Sequence, residues 1–412
     1  MSWGDAALLN IAVIGKTNVG KTTLFNAATL LNAEISNYPF TTKEPNVGIA
    51  YACDVCVCKE LGVKDNPTNS ACIDGWRYVP IRIMDLPGLL KDAWTGRGLG
   101  TRFLSFVGQA DALIHVVDAS GSVDADGELT QPGSGNPVQD VLDIEMEIVR
   151  WIANIIERNR QIILREEAHS SLEEALSRAL SGIKARLPQV AQALQSSELE
   201  EVSFADWSLD RSLQFASKLL PIIKPTLIIA NKMDLPTAEE NLEMLTQFFS
   251  RSLVAACSAE AELVLRRAEK IGLLHYTPGQ EIFRIAENAQ LTPAQREALD
   301  YVEQRVMARW LRTGIQQALN TVVFKMLKNN MVYPVGDEVR YADHHGNVLP
   351  DAFLMPDGST PLDLARSVHS RLAESYVLAI DAKTGMRLPK GYSLRHRDVV
   401  KIMTQPRARA RR

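Results

Sequence analysis

The peptide Gly15-Lys16-Thr17-Asn18-Val19-Gly20-Lys21-Thr22 sets two glycines ahead of a lysine and a hydroxyl, a spacing suited to holding a polyphosphate. Glycine lets the backbone wrap closely around phosphate oxygens. The amides of Asn18, Val19, Gly20, Lys21, Thr22 and Thr23 are expected to point inward at the start of a helix, where the dipole also favours an anion. Lys21 is expected to bridge the β- and γ-phosphates, and the Thr22 hydroxyl to ligate Mg²⁺. Asp85-Leu86-Pro87-Gly88 offers a carboxylate to hold the same ion through water and the Gly88 amide to meet the γ-phosphate. Alone, such a tetrapeptide mostly marks a turn. Asn231-Lys232-Met233-Asp234 is a base-reading pattern. The Asp234 carboxylate can accept from both guanine N1–H and the exocyclic amine. Adenine lacks both donors, and each lost charged hydrogen bond costs about 1.5–3 kcal/mol. In Cys257-Ser258-Ala259, the Ala259 amide can meet guanine O6. In this order on one chain, the patterns predict a GTP/GDP site.

These residues need strands that end beside them. Leu8–Ile14, Leu227–Ala230 and Leu253–Ala256 are apolar runs of strand length, Arg82–Met84 ends a strand, and Thr22–Leu31 has the character of a helix. The fold class expected is α/β, a P-loop NTPase three-layer fold. His115 lies inside an apolar run, Ala112–Val117, and is expected to be a satisfied core histidine rather than a catalytic group. From Asp85 to Asn231 is 146 residues, whereas two βαβ steps need roughly 60. The excess opens with Gly121–Pro137, rich in Gly, Asp and Ser, which suggests a flexible hinge. Val141, Ile144, Ile148, Trp151, Ile155 and Ile162 then follow three- and four-residue steps, as do Leu172, Leu176, Ala179, Ile183 and Leu187. Two antiparallel helices packed as a short coiled-coil arm are expected.

The chain has 412 residues, 46% hydrophobic and 23% charged, with net charge −4. That composition excludes a mostly disordered chain and a globally basic nucleic-acid binder. The charge is unevenly placed. Residues 136–221 hold 14 acidic and 9 basic side chains, net −5, and residues 332–412 hold 9 and 13, net +4. The basic end finishes in Arg407, Arg409, Arg411 and Arg412, either a solvated tail or a phosphate contact. No run is long and apolar enough for a transmembrane helix, and the N-terminus resembles a first strand rather than a signal peptide. Five cysteines point to a reduced, cytoplasmic protein. Cys53, Cys56, Cys58 and Cys72 raise a metal site against free thiols on a β-hairpin. Strand alternation opposes Cys53 to Cys56 and Cys58, so all four converge only if the strand bends or ends near Cys56.

Near the C-terminus, Asp351–Met355, Tyr376–Ile380 and Val399–Met403 are expected strands. Thr360-Pro361-Leu362-Asp363 is a capped helix start, with Leu364, Val368 and Leu372 on one face. This segment resembles a TGS domain, a β-grasp fold that implies contact with RNA or ribosomes. Thr292–Asn329 is expected to be helical, with Thr292 as its cap.

Asn37-Tyr38-Pro39-Phe40-Thr41-Thr42 resembles the switch I segment of Obg-related GTPases, and Gly96-Arg97-Gly98-Leu99-Gly100 with Phe103-Leu104 resembles the stretch after their switch II. Within that group the chain is most similar to the archaeal branch of YchF-type proteins, relatives of the Obg-like ATPases. Ala112–Ala119, Ala261–Ala268 and Val332–Val335 carry that match. The resemblance implies that Thr42 senses Mg²⁺ and γ-phosphate, so Lys21, Thr42 and Gly88 form the catalytic set and Thr22, Thr42 and Asp85 the Mg²⁺ set. Bacterial and eukaryotic relatives end the base motif in Glu and prefer ATP; Asp234 here implies GTP. Leu89 stands where Ras-like enzymes place a water-orienting Gln, so hydrolysis should be slow. Related potassium-activated GTPases place an asparagine where Asn18 stands. A K⁺ ion bridging the phosphates is thus one role for Asn18, and stabilising the loop is the other.

The expected organisation is a GTPase domain over 1–135 and 222–275, a helical arm over 136–221, a helical connector over 276–331, a TGS domain over 332–406 and a basic tail over 407–412. The expected activity is slow, Mg²⁺-dependent GTP hydrolysis by a monomeric regulator at the ribosome or RNA, away from membranes. The competing expectation is a nucleotide-gated ribosome or RNA adaptor whose hydrolysis is incidental.

Overall fold

The computed structural model describes residues 8–30, 47–88, 105–249 and 253–405. Switch I, Leu89 and the basic tail lie outside them. Seven strands form the main sheet: β1 (Asn10–Ile14), β2 (Val47–Val55), β3 (Ala71–Ile73), β4 (Trp76–Asp85), β5 (Ala112–Asp118), β6 (Thr226–Asn231) and β7 (Leu253–Ala256). Their order is β2-β4-β1-β5-β6-β7, with β3 paired to β4. Strands β4, β1, β5, β6 and β7 run parallel, and β2 returns antiparallel along β4. The parallel strands are covered on both faces, which is why their sequences are continuous apolar runs. Every residue of β5 is buried.

Alternation along the strands sends neighbours to opposite layers. Ile11, Val13, Ile114, Val116 and Ile229 face Leu24 of the helix Lys21–Thr29, Leu263 of the helix Ala259–Lys270, and Ile315, Leu319 and Val323 from the segment before the C-terminal domain. Ala12, Ile14, Met84 and Leu113 face the inserted helices through Ile144, Ile148, Ile152, Phe215 and Leu219. The three-layer α/β expectation holds.

The insert differs from a coiled coil. It comprises Pro137–Arg158, Arg160–Glu167, Leu172–Ala179, Leu187–Ser196 and Leu209–Ile223, joined by short turns. Its first helix buries Val149, Ile152, Ala153 and Ile156 as well as Val141, Ile144 and Ile148, a stripe wider than a two-helix seam. Ile162 and Leu187, expected in that seam, are exposed. The helix ends at Asn159, and the Ser171 hydroxyl caps the start of a later one by accepting from the Glu174 amide. The insert therefore serves as the second covering layer of the sheet.

Beyond β7, β8 (Leu274–His275) pairs with β9 (Arg284–Ile285). Thr292 and Gln295 form the expected capping box of the helix Pro293–Val302. A second sheet follows from β10 (Asn329–Val335), β11 (Phe353–Pro356), β12 (Tyr376–Asp381) and β13 (Val399–Thr404), in the order β11-β10-β13-β12. Strand β13 runs parallel to β10, and the outer pairs are antiparallel. The helix Pro361–Val368, opened by the Thr360–Asp363 capping box, lays Leu364 and Val368 on Val332, Phe353, Ala379 and Val400. This is the β-grasp arrangement. Among the described residues no helix is long and apolar enough to cross a membrane.

Glu262, fully buried, ties the first domain to the chain that leaves it. It accepts from Arg266 Nε at 2.5 Å, from the Tyr276 hydroxyl at 2.8 Å and from the Thr313 hydroxyl. Removing the carboxylate strands a buried guanidinium, which costs about 3–5 kcal/mol. Glu262→Leu should lower the unfolding free energy by that amount in urea denaturation, and a loss below about 1 kcal/mol would show that the network contributes little.

Candidate nucleotide site

The parallel register aligns the carboxyl ends of the central strands. Val13 stands opposite Asp85, Ile14 opposite His115, and Asp118 opposite Asn231. Strand β1 lies between β4 and β5, so the chain crosses in opposite directions on either side of it, the place where open α/β sheets bind ligands. The cradle leaves β1 there. Gly20 has φ 97°, and a Cβ on it would fall 2.3 Å from Asn231 Nδ2. Only glycine fits between the cradle and the base motif. A Cβ on Gly88 would lie 2.9 Å from the Thr17 backbone nitrogen, so the DxxG turn rests on the cradle rim.

Lys21 is buried and its Nζ donates to the Lys16 carbonyl. Burial pushes its pKa down to about 8, against the pull of Asp85. The Thr22 hydroxyl donates to Asp85 Oδ2 at 2.8 Å, while Asp85 Oδ1 is buried with no partner among the described residues. Burial also raises the Asp85 pKa, opposed by the Thr22 bond and by Lys21. A hydroxyl beside a carboxylate with one orphaned oxygen is a hard-oxygen donor set, and it fits Mg²⁺. Thr23 is part-buried in the same first turn. Thr42 lies outside the described residues.

On the base side, Asn231 is buried and bridges two segments. Its Nδ2 donates to the Val19 carbonyl at 2.9 Å, and its Oδ1 accepts the Ala259 amide at 3.0 Å. The Ala259 amide, expected at guanine O6, thus stands beside Asn231 at the base side of the site. Asp234 Oδ1 accepts from the Ser258 hydroxyl at 2.6 Å, which aims the carboxylate. Tyr301 reaches the same residue, its hydroxyl 3.2 Å from the Asp234 carbonyl and 3.4 Å from Oδ2.

Three features of the site were not expected. Lys16 is buried in an ion pair with Asp140, 2.6 Å away on the first turn of the insert. Asp118 is buried at the end of β5 and accepts from the amides and hydroxyls of both Ser120 and Ser122 and from Lys232 Nζ. The segment expected to be a flexible hinge is therefore a built loop. Its Val123 is buried, and its Gly127 carbonyl accepts Asn18 Nδ2 at 2.9 Å and the Thr17 hydroxyl at 3.2 Å. Asn18 has φ 60° and its Nδ2 donates to that loop, which is the stabilising role. The spacing Asp118-x-Ser120-x-Ser122 was the available signal, since Asp commonly gathers donors from the residues just after it.

The chain was compared with known proteins. A family model described as 50S ribosome-binding GTPase matches residues 10–164. A model of the Obg-like GTPase YGR210-like, G4 motif-containing domain matches residues 229–337, and a TGS domain model matches residues 345–404. An uncharacterized GTP-binding protein of Methanocaldococcus jannaschii is 43% identical over 96% of this chain and 98% of its own length. The chain belongs to the Obg-like, YchF-related family of P-loop GTPases. The crystal structure of a GTP binding protein from Pyrococcus horikoshii is similar at TM-score 0.77 and 36% identity, covering 96% of this chain and 100% of that one. A protein of Bacillus subtilis named ribosome-binding ATPase YchF is 28% identical over 64% of this chain and 69% of its own length.

In this GTPase His115 is buried, as expected, but its Nε2 has no partner among the described residues. It borders a cavity of about 300 Å³ lined also by Ile14, Val141, Ile144, Glu145 and Leu220. Burial, with the Lys21 charge adding, drives its pKa from 6.5 to about 3. The unfolded chain therefore takes up a proton that the folded chain refuses. The stability contribution is complete above about pH 6.5 and is lost at about 1.4 kcal/mol per pH unit on acidification toward pH 3. His115→Phe, for which the cavity has room, should flatten the fall in unfolding free energy between about pH 6.5 and 4.5. An unchanged slope would mean that His115 does not govern acid sensitivity.

Proposed function

We propose that this GTPase, acting in the cytoplasm, binds GTP in preference to ATP and hydrolyses it slowly to GDP and phosphate with Mg²⁺. In this reading nucleotide state governs contact with the ribosome or RNA through the TGS domain. The observation that carries the base preference is the Asp234 carboxylate, held by Ser258 beside the cradle. Guanine offers that carboxylate two donors, N1–H and the exocyclic amine, and adenine offers neither.

Thr22 and Asp85 would hold Mg²⁺, which when bound supplies positive charge against the phosphate oxygens. Lys21 holds its ammonium in a dry site, and a polyphosphate arriving there would restore the charge that burial disfavours. The DxxG turn rests on the cradle rim, which supports a role for the Gly88 amide at the terminal phosphate. Leu89 has no group that orients water, which supports slow turnover. The names of the relatives, and the four arginines of residues 407–412 that supply the whole net charge of +4 over 332–412, support the ribosome or RNA as partner.

Calorimetric titration should show GTP binding at least about 100-fold tighter than ATP, as the loss of two charged hydrogen bonds dictates. Equal or tighter ATP binding would sink the preference. Asp234→Asn should weaken GTP by about 10–100-fold and favour xanthosine triphosphate, because a carboxamide donates to the xanthine carbonyl that replaces the amine. Partner contact has its own test. Co-sedimentation with ribosomes should differ between GTP, GDP and a non-hydrolysable analogue, and equal sedimentation in all three would remove nucleotide gating.

A further inference from the structure

The cysteines that the nucleotide chemistry leaves unused converge at the far end of the β2–β4 hairpin. Strand β2 ends at Val55, and Cys56 then caps the short helix Val57–Leu61, its Sγ accepting the Cys58 amide at 3.5 Å. That turn carries Cys58 to Cys72 on β3, with the sulfurs 3.9 Å apart. Cys56 Sγ lies 3.3 Å from Asp65 Oδ2. Ligand atoms of Cys56, Cys58, Asp65 and Cys72 all fall within 4.8 Å of one another. Cys53 is not among them. It is still within β2, opposite Tyr78, and its Sγ accepts from Asn320 Nδ2 at 3.7 Å. The strand ending near Cys56 was the condition for convergence. The member that the sequence pattern did not supply is the carboxylate.

Three thiols and a carboxylate at this spacing form a tetrahedral donor set. With Zn–S near 2.3 Å and Zn–O near 2.0 Å, a regular tetrahedron has S–S edges of about 3.8 Å and S–O edges of about 3.5 Å. One S–S edge, at 3.9 Å, and one S–O edge, at 3.3 Å, lie close to these values, and the remaining edges are all under 4.8 Å. A disulfide needs sulfurs about 2.05 Å apart and gives Cys56 and Asp65 no reason to face the pair. The surrounding shell suits a metal carrying three thiolates. Asp65 Oδ2 also accepts from Arg77 Nη2 at 2.8 Å, and Arg77 is fully buried. The same guanidinium donates to the Ser70 hydroxyl and the Leu349 carbonyl, each at 2.9 Å, and lies 5.3 Å from the centre of the Tyr333 ring. Its charge offsets the excess negative charge of the ligands, and its hydrogen bond fixes the carboxylate.

We propose that Cys56, Cys58, Asp65 and Cys72 bind one structural zinc ion per chain. Four protein ligands leave no open position, so the ion has no catalytic role. It closes the segment between Cys58 and Cys72, and that segment is the seam to the TGS domain. The Asn66 amide donates to the Val348 carbonyl at 2.8 Å, the Thr68 amide to Pro350 at 2.7 Å, and the Thr68 hydroxyl to Asp351 at 2.8 Å. Zinc would therefore hold the hairpin in the shape that docks the C-terminal domain.

The test uses full-length protein purified without chelator. Elemental analysis should find one zinc per chain, retained in Cys53→Ser and lost in Cys56→Ser and Cys72→Ser. Cobalt(II) added to metal-stripped wild type should give thiolate charge-transfer absorption and the intense visible bands of a tetrahedral site. If the ligand variants fail to fold, zinc released from wild type by a mercurial thiol reagent, read with a metallochromic dye, should reach one equivalent. Protein that holds no zinc and gives no cobalt–thiolate absorption overturns the proposal. So does a Cys58–Cys72 disulfide in non-reducing peptide maps, iron in place of zinc, or loss of the metal in Cys53→Ser.

Discussion

One side chain sets the geometry on which the nucleotide site depends. Asn231 holds the cradle through the Val19 carbonyl and the Ser258–Ala259 turn through the Ala259 amide. These segments are far apart in sequence and meet only because β1, β5 and β6 end in register. Gly20 is left without a side chain so that Asn231 can approach. Phosphate and base recognition are therefore mechanically one unit, and a shift of β6 moves both ends of the bound nucleotide.

The insert enters that unit through charge. Lys16 lies inside the cradle yet directs its ammonium away, to Asp140 on the first turn of Pro137–Arg158. Burial raises the Asp140 pKa, with the Lys16 hydrogen bond opposing. Lys21 is then left to meet phosphate, while Lys16 fixes the angle at which the inserted layer leaves the site. Asp118 does the same for the loop between them by collecting Ser120, Ser122 and Lys232.

Much of this was legible in the sequence, and the division has a physical basis. The cradle, DxxG, NKxD and SA patterns are contiguous, because each is one turn at a strand end and needs its residues side by side. The capping boxes at Thr292 and Thr360 were legible for the same reason. Contacts set by topology were not. Lys16 and Asp140 lie on different layers, and neither neighbourhood names the other. Asp65 sits in an aperiodic loop between two cysteines, so the cysteine pattern suggested Cys53 as fourth member instead. The insert was misjudged because a three–four repeat marks a buried face without saying how wide it is. Ile152 and Ile156 widen it enough to cover a sheet. The burial of the His115 imidazole followed from its apolar strand, but the hydrogen-bond partners of His115 and of the Ala259 amide depend on three-dimensional neighbours.

The segment before β10 has a consequence for how the molecule comes apart. Ile315, Leu319, Val322 and Val323 are core residues of the nucleotide-binding sheet, although they follow the last strand of that sheet by some sixty positions. Leu354 of the second sheet packs against the same cluster. Motif boundaries and cooperative boundaries therefore do not coincide. A chain cut after the base motif would bare one apolar face of its own sheet to water. The two sheets share one apolar cluster, so what looks modular in sequence is packed as a whole.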